Sequence, residues 1–137
     1  MRAVVIVPTY NEADNIQRFL TQVRNDAPNT DILVVDDNSP DGTSQIAKEV
    51  ADRLGRIKVM TRTANRGYAA ASRDAMRAAI SDNYEVIATM DADFSHDPTV
   101  LEQLISRVNE NTALVIGSRY VAGGQVTNWP LFRRLLS

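Results

Sequence analysis

The sequence predicts an α/β fold, a three-layer doubly wound sheet of mostly parallel strands, and three observations lead there. Short β-branched runs alternate with segments whose apolar residues recur at helical spacing. Turn-forming residues cluster after the apolar runs, and the loops are short. Alternation of this kind implies parallel pairing through right-handed crossovers, which places helices on both faces of the sheet. At 137 residues, 44% hydrophobic and 23% charged, the chain suits one globular domain and lacks the polar balance of a disordered one.

The first strand is Ala3 to Val7, closed by Pro8, and Ile16, Phe19, Leu20 and Val23 form the buried stripe of a first helix. Ile32 to Val35 is a second strand, followed by the turn-rich DDNSPDGT and a helix carrying Ile46, Ala47, Val50 and Leu54. Ile57 to Met60 is a third strand. The Ala-rich stretch from Tyr68 to Ile80 has high helix propensity and small side chains for close packing on the sheet. Val86 to Met90 is a fourth strand; Asp97 before Pro98 then starts a helix with Leu101, Leu104, Ile105 and Val108 on its buried face. Ala113 to Ile116 is expected as a fifth strand, and beyond Tyr120 the pattern changes to a Gly-containing loop and the start of an amphipathic segment.

A net charge of -2 supplies no basic field for nucleic acid or anionic lipid, so any phosphate must be gripped locally. The absence of cysteine excludes disulfides and thiolate metal sites; with no leader at Met1, a cytosolic location is the expectation. The longest apolar run, Ala3 to Val7, is far short of the roughly 18 residues of a membrane span.

In an open sheet of this type ligands bind outside the carboxyl ends of the strands, near the point where strand order reverses. PTYNE, DDNSPDGT, ANRGY, DADFSHDP and GSRY follow the five expected strands and should converge on one crevice. A D-x-D triplet alone is usually a polar turn, but Asp91 and Asp93 follow a buried strand, where both can reach a hard cation that bridges a diphosphate. Asp37 is suited to accept hydrogen bonds from a ribose hydroxyl or a base N–H, while Asp41 or Thr43 is assigned to helix capping. Tyr10 can stack on a nucleobase or simply pack its loop, and Glu12 can favour a helix dipole and do nothing more. Arg66 can lie near phosphate but more often such an arginine is a solvated side chain or a surface ion pair, whereas Arg119, just past a strand end, has the forked geometry that binds phosphate oxygens. His96 is the sole histidine, without a serine or cysteine partner motif, and is assigned to orienting its loop. No P-loop or dinucleotide fingerprint is present.

Taken in order, VVIVPTYNEADNI, ILVVDDNSPDGT, VIATMDADFSHDP and VIGSRYVAGGQVTNWPLFRR resemble the family-2 glycosyltransferases of the GT-A fold, and among them the dolichyl- or polyprenyl-phosphate mannosyltransferases. The resemblance covers essentially the whole chain. It implies that Pro8, Tyr10, Glu12, Val35 and Asp37 contact the guanosine part, that Asp91, Ala92 and Asp93 hold metal and diphosphate, and that Arg119 meets phosphate or sugar. Ser95 stands where some members carry glutamine, so any metal contact would run through water, and the usual glycine-rich loop is altered to NRGYAA.

What the resemblance implies is an inverting transfer of mannose from GDP-mannose to a polyprenyl phosphate, assisted by Mg2+ or Mn2+, at the cytoplasmic face of a membrane. Family members continue past the WPLFRR stretch. A chain of residues 1–137 is therefore expected to be the N-terminal part of a single nucleotide-sugar-binding domain, to bind donor weakly, to transfer sugar poorly and to self-associate through uncovered apolar surface. Alternatives are a UDP-glucose-dependent glucosyltransferase and a noncatalytic nucleotide-binding scaffold. A nucleotidyltransferase is disfavoured because PTYNE carries no Lys or Arg to grip phosphate.

Overall fold

The structure is a computed structural model in which residues 1–118, 120 and 121 are described. Four strands, β1 (Ala3–Thr9), β2 (Asp31–Asp36), β3 (Ile57–Thr61) and β4 (Val86–Thr89), form one parallel sheet in the order β3-β2-β1-β4. The helices are α1 (Ala13–Asp26), α2 (Thr43–Leu54), α3 (Tyr68–Ser81) and the short α4 (Leu101–Ser106), the last entered through a 3₁₀ turn at Pro98–Val100.

The two faces of the sheet explain the unbroken apolar runs of β1 and β2. Val5, Val7, Ile32 and Val34 point into a core built with Ile16, Phe19, Leu20 and Val23 of α1, Ala47 and Val50 of α2, and Leu101 of α4. Val4, Ile6, Leu33 and Val35 point the other way, onto Ala71, Ala75 and Ala79 of α3. Because side chains alternate across a strand, only a strand covered on both sides can be apolar at every position. The alanine stripe of α3 lets that helix approach the sheet closely, and the three-layer doubly wound architecture follows.

The helix starts obey local chemistry. The Asp97 carboxylate accepts from the Thr99 N–H at 3.0 Å, with proline in the first turn. Asp41 serves two helices at once, accepting from the Ala13 N–H at 3.0 Å and the Thr43 N–H at 3.0 Å. The Thr43 hydroxyl in turn accepts from the Glu12 N–H at 2.9 Å, so the starts of α1 and α2 are bolted together.

Two expectations change. Ala113–Ile116 does not form a fifth strand: these residues run irregularly, and Leu114 and Ile116 are 75% and 73% exposed. A strand is stabilised by pairing, and among the described residues the outer edge of β4 pairs with nothing. The last helix also stops at Ser106, leaving Val108 beyond its end and just before the turn closed by the Asn109–Thr112 bridge. Among the described residues no helix is long and apolar enough to cross a membrane.

Candidate functional site

From β1 the chain winds outward to β2 and β3 on one side, then returns to place β4 on the other side of β1. The strand order thus reverses between β1 and β4, the place where open sheets of this kind form a crevice at the carboxyl ends of their strands. A cleft of about 650 Å³ lies there. Pro8, Thr9, Tyr10 and Glu12 line it from the end of β1, and Asp37 from the end of β2. Arg66, Gly67, Tyr68 and Ala71 contribute from the start of α3, and Asp91, Ala92 and Asp93 from the end of β4.

The β2 end carries two adjacent carboxylates with different duties. Asp36 is wholly buried and saturated: it accepts from the Thr9 hydroxyl at 2.8 Å, the Ser39 hydroxyl at 2.6 Å and the Ser39 N–H at 2.9 Å. Asp37 lies at the cleft floor, where one oxygen pairs with the Arg62 guanidinium and the other accepts from the Gly67 N–H at 2.5 Å. Arg62 is itself 7% exposed and also reaches Asp74 of α3 at 3.0 Å and the Asn65 carbonyl at 2.7 Å. Gly67 adopts φ of +128° immediately before α3, with open space where a Cβ would stand, so backbone conformation is what favours glycine there. Above the floor, the Arg66 guanidinium lies 5.0 Å from the Tyr10 ring centroid.

The β4 end is held from beneath and open above. Ala92 is buried between the two aspartates, and Phe94, in the left-handed region at φ of 61°, packs edge-on against Phe19 at 5.4 Å with Arg18 over its ring. That anchor fixes the loop while Asp91 and Asp93 stay at the cleft. His96 accepts the Asp91 N–H at 3.1 Å through Nδ1, the loop-orienting duty expected of it. Asp93 accepts from the Ser95 N–H at 2.9 Å and hydroxyl at 2.6 Å through Oδ1 alone. Burial pushes the Asp93 carboxyl up, but the Ser95 hydrogen bonds and His96 outweigh it and hold it below the usual aspartate range. Burial, followed by the charge of Asp91, raises the Tyr68 phenol, which remains a donor 3.5 Å from Asp91 Oδ1.

Among the described residues no three His, Cys, Asp or Glu side chains converge as a complete metal cage. The pair Asp91 and Asp93 nonetheless suits a small hard cation, since such ions take one or two carboxylates and complete their shell with water and phosphate oxygens. Of the residues expected at the site, Pro8, Tyr10, Glu12, Asp37, Asp91, Ala92 and Asp93 share the cleft. Val35 does not offer its side chain: strand alternation buries it fully against α3. Arg119 lies outside the described residues. Ser95 is engaged with Asp93, and Arg66 is exposed while also lining the cleft. Arg62, immediately past β3, was not anticipated: the strand-end rule applied there pointed to the ANRGY loop, and nothing local marks the Arg62 side chain as buried.

The profile of "Glycosyl transferase family 2" matches residues 4–136. The chain is 44% identical to a polyprenol monophosphomannose synthase of Mycolicibacterium smegmatis, over 99% of its own length and 52% of the relative's. It is 40% identical to a dolichol-phosphate mannosyltransferase of Pyrococcus furiosus, over 100% and 38%, and 41% identical to an undecaprenyl-phosphate mannosyltransferase of Micrococcus luteus, over 100% and 56%. The chain thus spans about half the length of these curated relatives, or less. A solved mannosyltransferase from Pyrobaculum calidifontis, in complex with GDP-Man and Mn2+, superposes with a TM-score of 0.60 at 33% identity, covering 67% of this chain and 27% of that one. The α/β architecture is that of a GT-A-like fold.

Proposed function

Because the chain belongs to glycosyl transferase family 2, we propose that it is the donor-binding part of an inverting mannosyltransferase that transfers mannose from GDP-mannose to a polyprenyl phosphate. The observation that carries this reading is the convergence of Asp91 and Asp93 with Asp37 and Tyr10 on one cleft at the switch point of the sheet. The names of the relatives support the sugar and the lipid class, and the complex of the solved mannosyltransferase supports a GDP-linked donor.

In this reading Asp37 accepts hydrogen bonds from the nucleoside, Tyr10 offers a stacking face, and Asp91 and Asp93 would hold Mg2+ or Mn2+. Held there, such an ion would supply neutralising charge for the diphosphate leaving group. Asp93, held below the usual aspartate range, presents a carboxylate throughout the neutral range. The acceptor phosphate, with a second pKa near 6, is largely dianionic at neutral pH and needs no general base. Its oxygen attacks the anomeric carbon, the bond from that carbon to the diphosphate breaks, GDP departs and the configuration inverts. Arg119 is assigned to phosphate, and the acceptor is met at the membrane surface.

Calorimetric titration of GDP, UDP and their mannose and glucose derivatives, with and without Mn2+ or Mg2+, tests the reading. GDP binding strengthened at least about tenfold by metal, a difference of about 1.4 kcal/mol, and stronger than UDP binding, is the expected result. Preference for UDP moves the assignment to a glucosyl-type donor, and absence of nucleotide binding moves it to a noncatalytic scaffold; either overturns it.

A further inference from the structure

Arg62 is the most thoroughly engaged cation among the described residues; it does not itself line the cleft, and meets its lining directly at Asp37. Its Nη1 pairs with Asp37, its Nε and Nη2 meet Asp74 Oδ2 at 3.1 and 3.0 Å, and Nη2 also donates to the Asn65 carbonyl at 2.7 Å. Its own N–H donates to the Asp36 carbonyl at 2.8 Å, which extends the β2–β3 ladder by one step. One planar fork thereby ties the end of β2, the 62–67 loop and α3 together beneath the cleft.

A merely structural ion pair has no need to end on a carboxylate that faces a cavity. Asp37 does face it, and its two oxygens are each used once, one by the Arg62 guanidinium and the other by the N–H of Gly67 at the cleft wall. A carboxylate offers about four acceptor positions, so each oxygen keeps one to spare. The rigid guanidinium fixes the carboxylate plane, and supplies the counter-charge that a buried acid requires.

We propose that Arg62 is a positioning residue for donor recognition, which aims the free acceptor positions of Asp37 at the nucleoside and couples that aim to the Arg66–Tyr68 side of the cleft through Gly67. The proposal rests on the reading that Asp37 contacts the nucleoside of the donor. It separates the site into a nucleoside half organised by Arg62 and a diphosphate half organised by the Phe94 anchor, with no shared hydrogen bond between Arg62 and Asp91 or Asp93.

The test measures binding of two probes, GDP with Mn2+ and inorganic pyrophosphate with Mn2+, to the full chain and to R62Q, R62K and D74N, with thermal unfolding recorded for each. Expected is a loss of roughly 10- to 100-fold in GDP affinity for R62Q with pyrophosphate affinity unchanged, a smaller loss for D74N, and partial rescue by R62K. Should R62Q not fold, the GDP-to-pyrophosphate affinity ratio of R62K and D74N decides: a fall supports positioning and an unchanged ratio overturns it. Equal losses for both probes, or no loss for either, also overturn it by reducing Arg62 to scaffold. Failure of the unsubstituted chain to bind GDP more tightly than pyrophosphate would instead remove the functional reading itself, and this inference with it.

Discussion

The loop after β2 and the loop after β4 each present aspartates at the carboxyl end of a parallel strand, one central and buried and one at the sheet's edge, and they spend them differently. Asp36 and Asp41 are consumed by the fold: one is wholly buried with three donors from Thr9 and Ser39, the other ties the starts of α1 and α2. Asp91 and Asp93 are only loosely engaged. The Asp91 side chain is 39% exposed, with Tyr68 at 3.5 Å and His96 at 4.0 Å, and Asp93 uses a single oxygen for Ser95. Residue type and strand-end position therefore do not separate an aspartate spent on the fold from one left open to the cleft. What distinguishes the latter is acceptor capacity left unspent, and Asp37 lies between the two cases.

The largest expected effect comes from the saturated side. Asp36→Ala leaves two hydroxyls and one N–H without their acceptor in a buried site, a loss of about 3 kcal/mol, read as a fall of roughly 10 °C in Tm. A change below about 1 kcal/mol would show that these groups find water or each other, and would weaken the contrast. On the open side the pattern should invert. Asp91→Asn and Asp93→Asn should each abolish the enhancement of GDP binding by Mn2+, while altering stability by under about 0.5 kcal/mol, the usual range for exposed positions. Retained metal enhancement in the double variant would place the ion elsewhere.

The same contrast explains what the amino-acid pattern reveals. β1 was legible because Val4 to Val7 are buried on both faces, and α1 because Ile16, Phe19, Leu20 and Val23 form one wholly buried stripe. Ala113 to Ile116 has equal strand character, but local composition carries no information about a partner, and Leu114 and Ile116 remain exposed. At the site, the strand-end rule located Tyr10, Asp37, Asp91 and Asp93. Strand alternation, applied to β2 as it was to the core, could have withdrawn the Val35 side chain. Arg62 was hidden for a different reason. An arginine beside a strand ordinarily reads as solvated, and its burial depends on Asp37 and Asp74, 25 and 12 residues away in sequence, meeting in space.

The smallest effect concerns Asp41, which is exposed yet fully engaged and so tests whether engagement or burial decides an aspartate's contribution. Burial tends to raise its carboxyl, but the Thr43 hydroxyl and the N–H groups of Ala13 and Thr43 outweigh that and hold it below the usual range. A carboxyl depressed in the folded state stabilises fully above its unfolded value, near 3.9, and that contribution fades as pH falls through the unfolded value toward the folded one. The Tm difference between the unsubstituted chain and Asp41→Asn should therefore be constant from pH 7 to about pH 5 and shrink below about pH 4. Two helix N-termini share this one charge, so both the α1 and α2 starts should fray together on protonation, measurable as faster amide exchange at Ala13 and Thr43. A Tm difference independent of pH would mean that geometry alone, without the charge, holds the two helices in register.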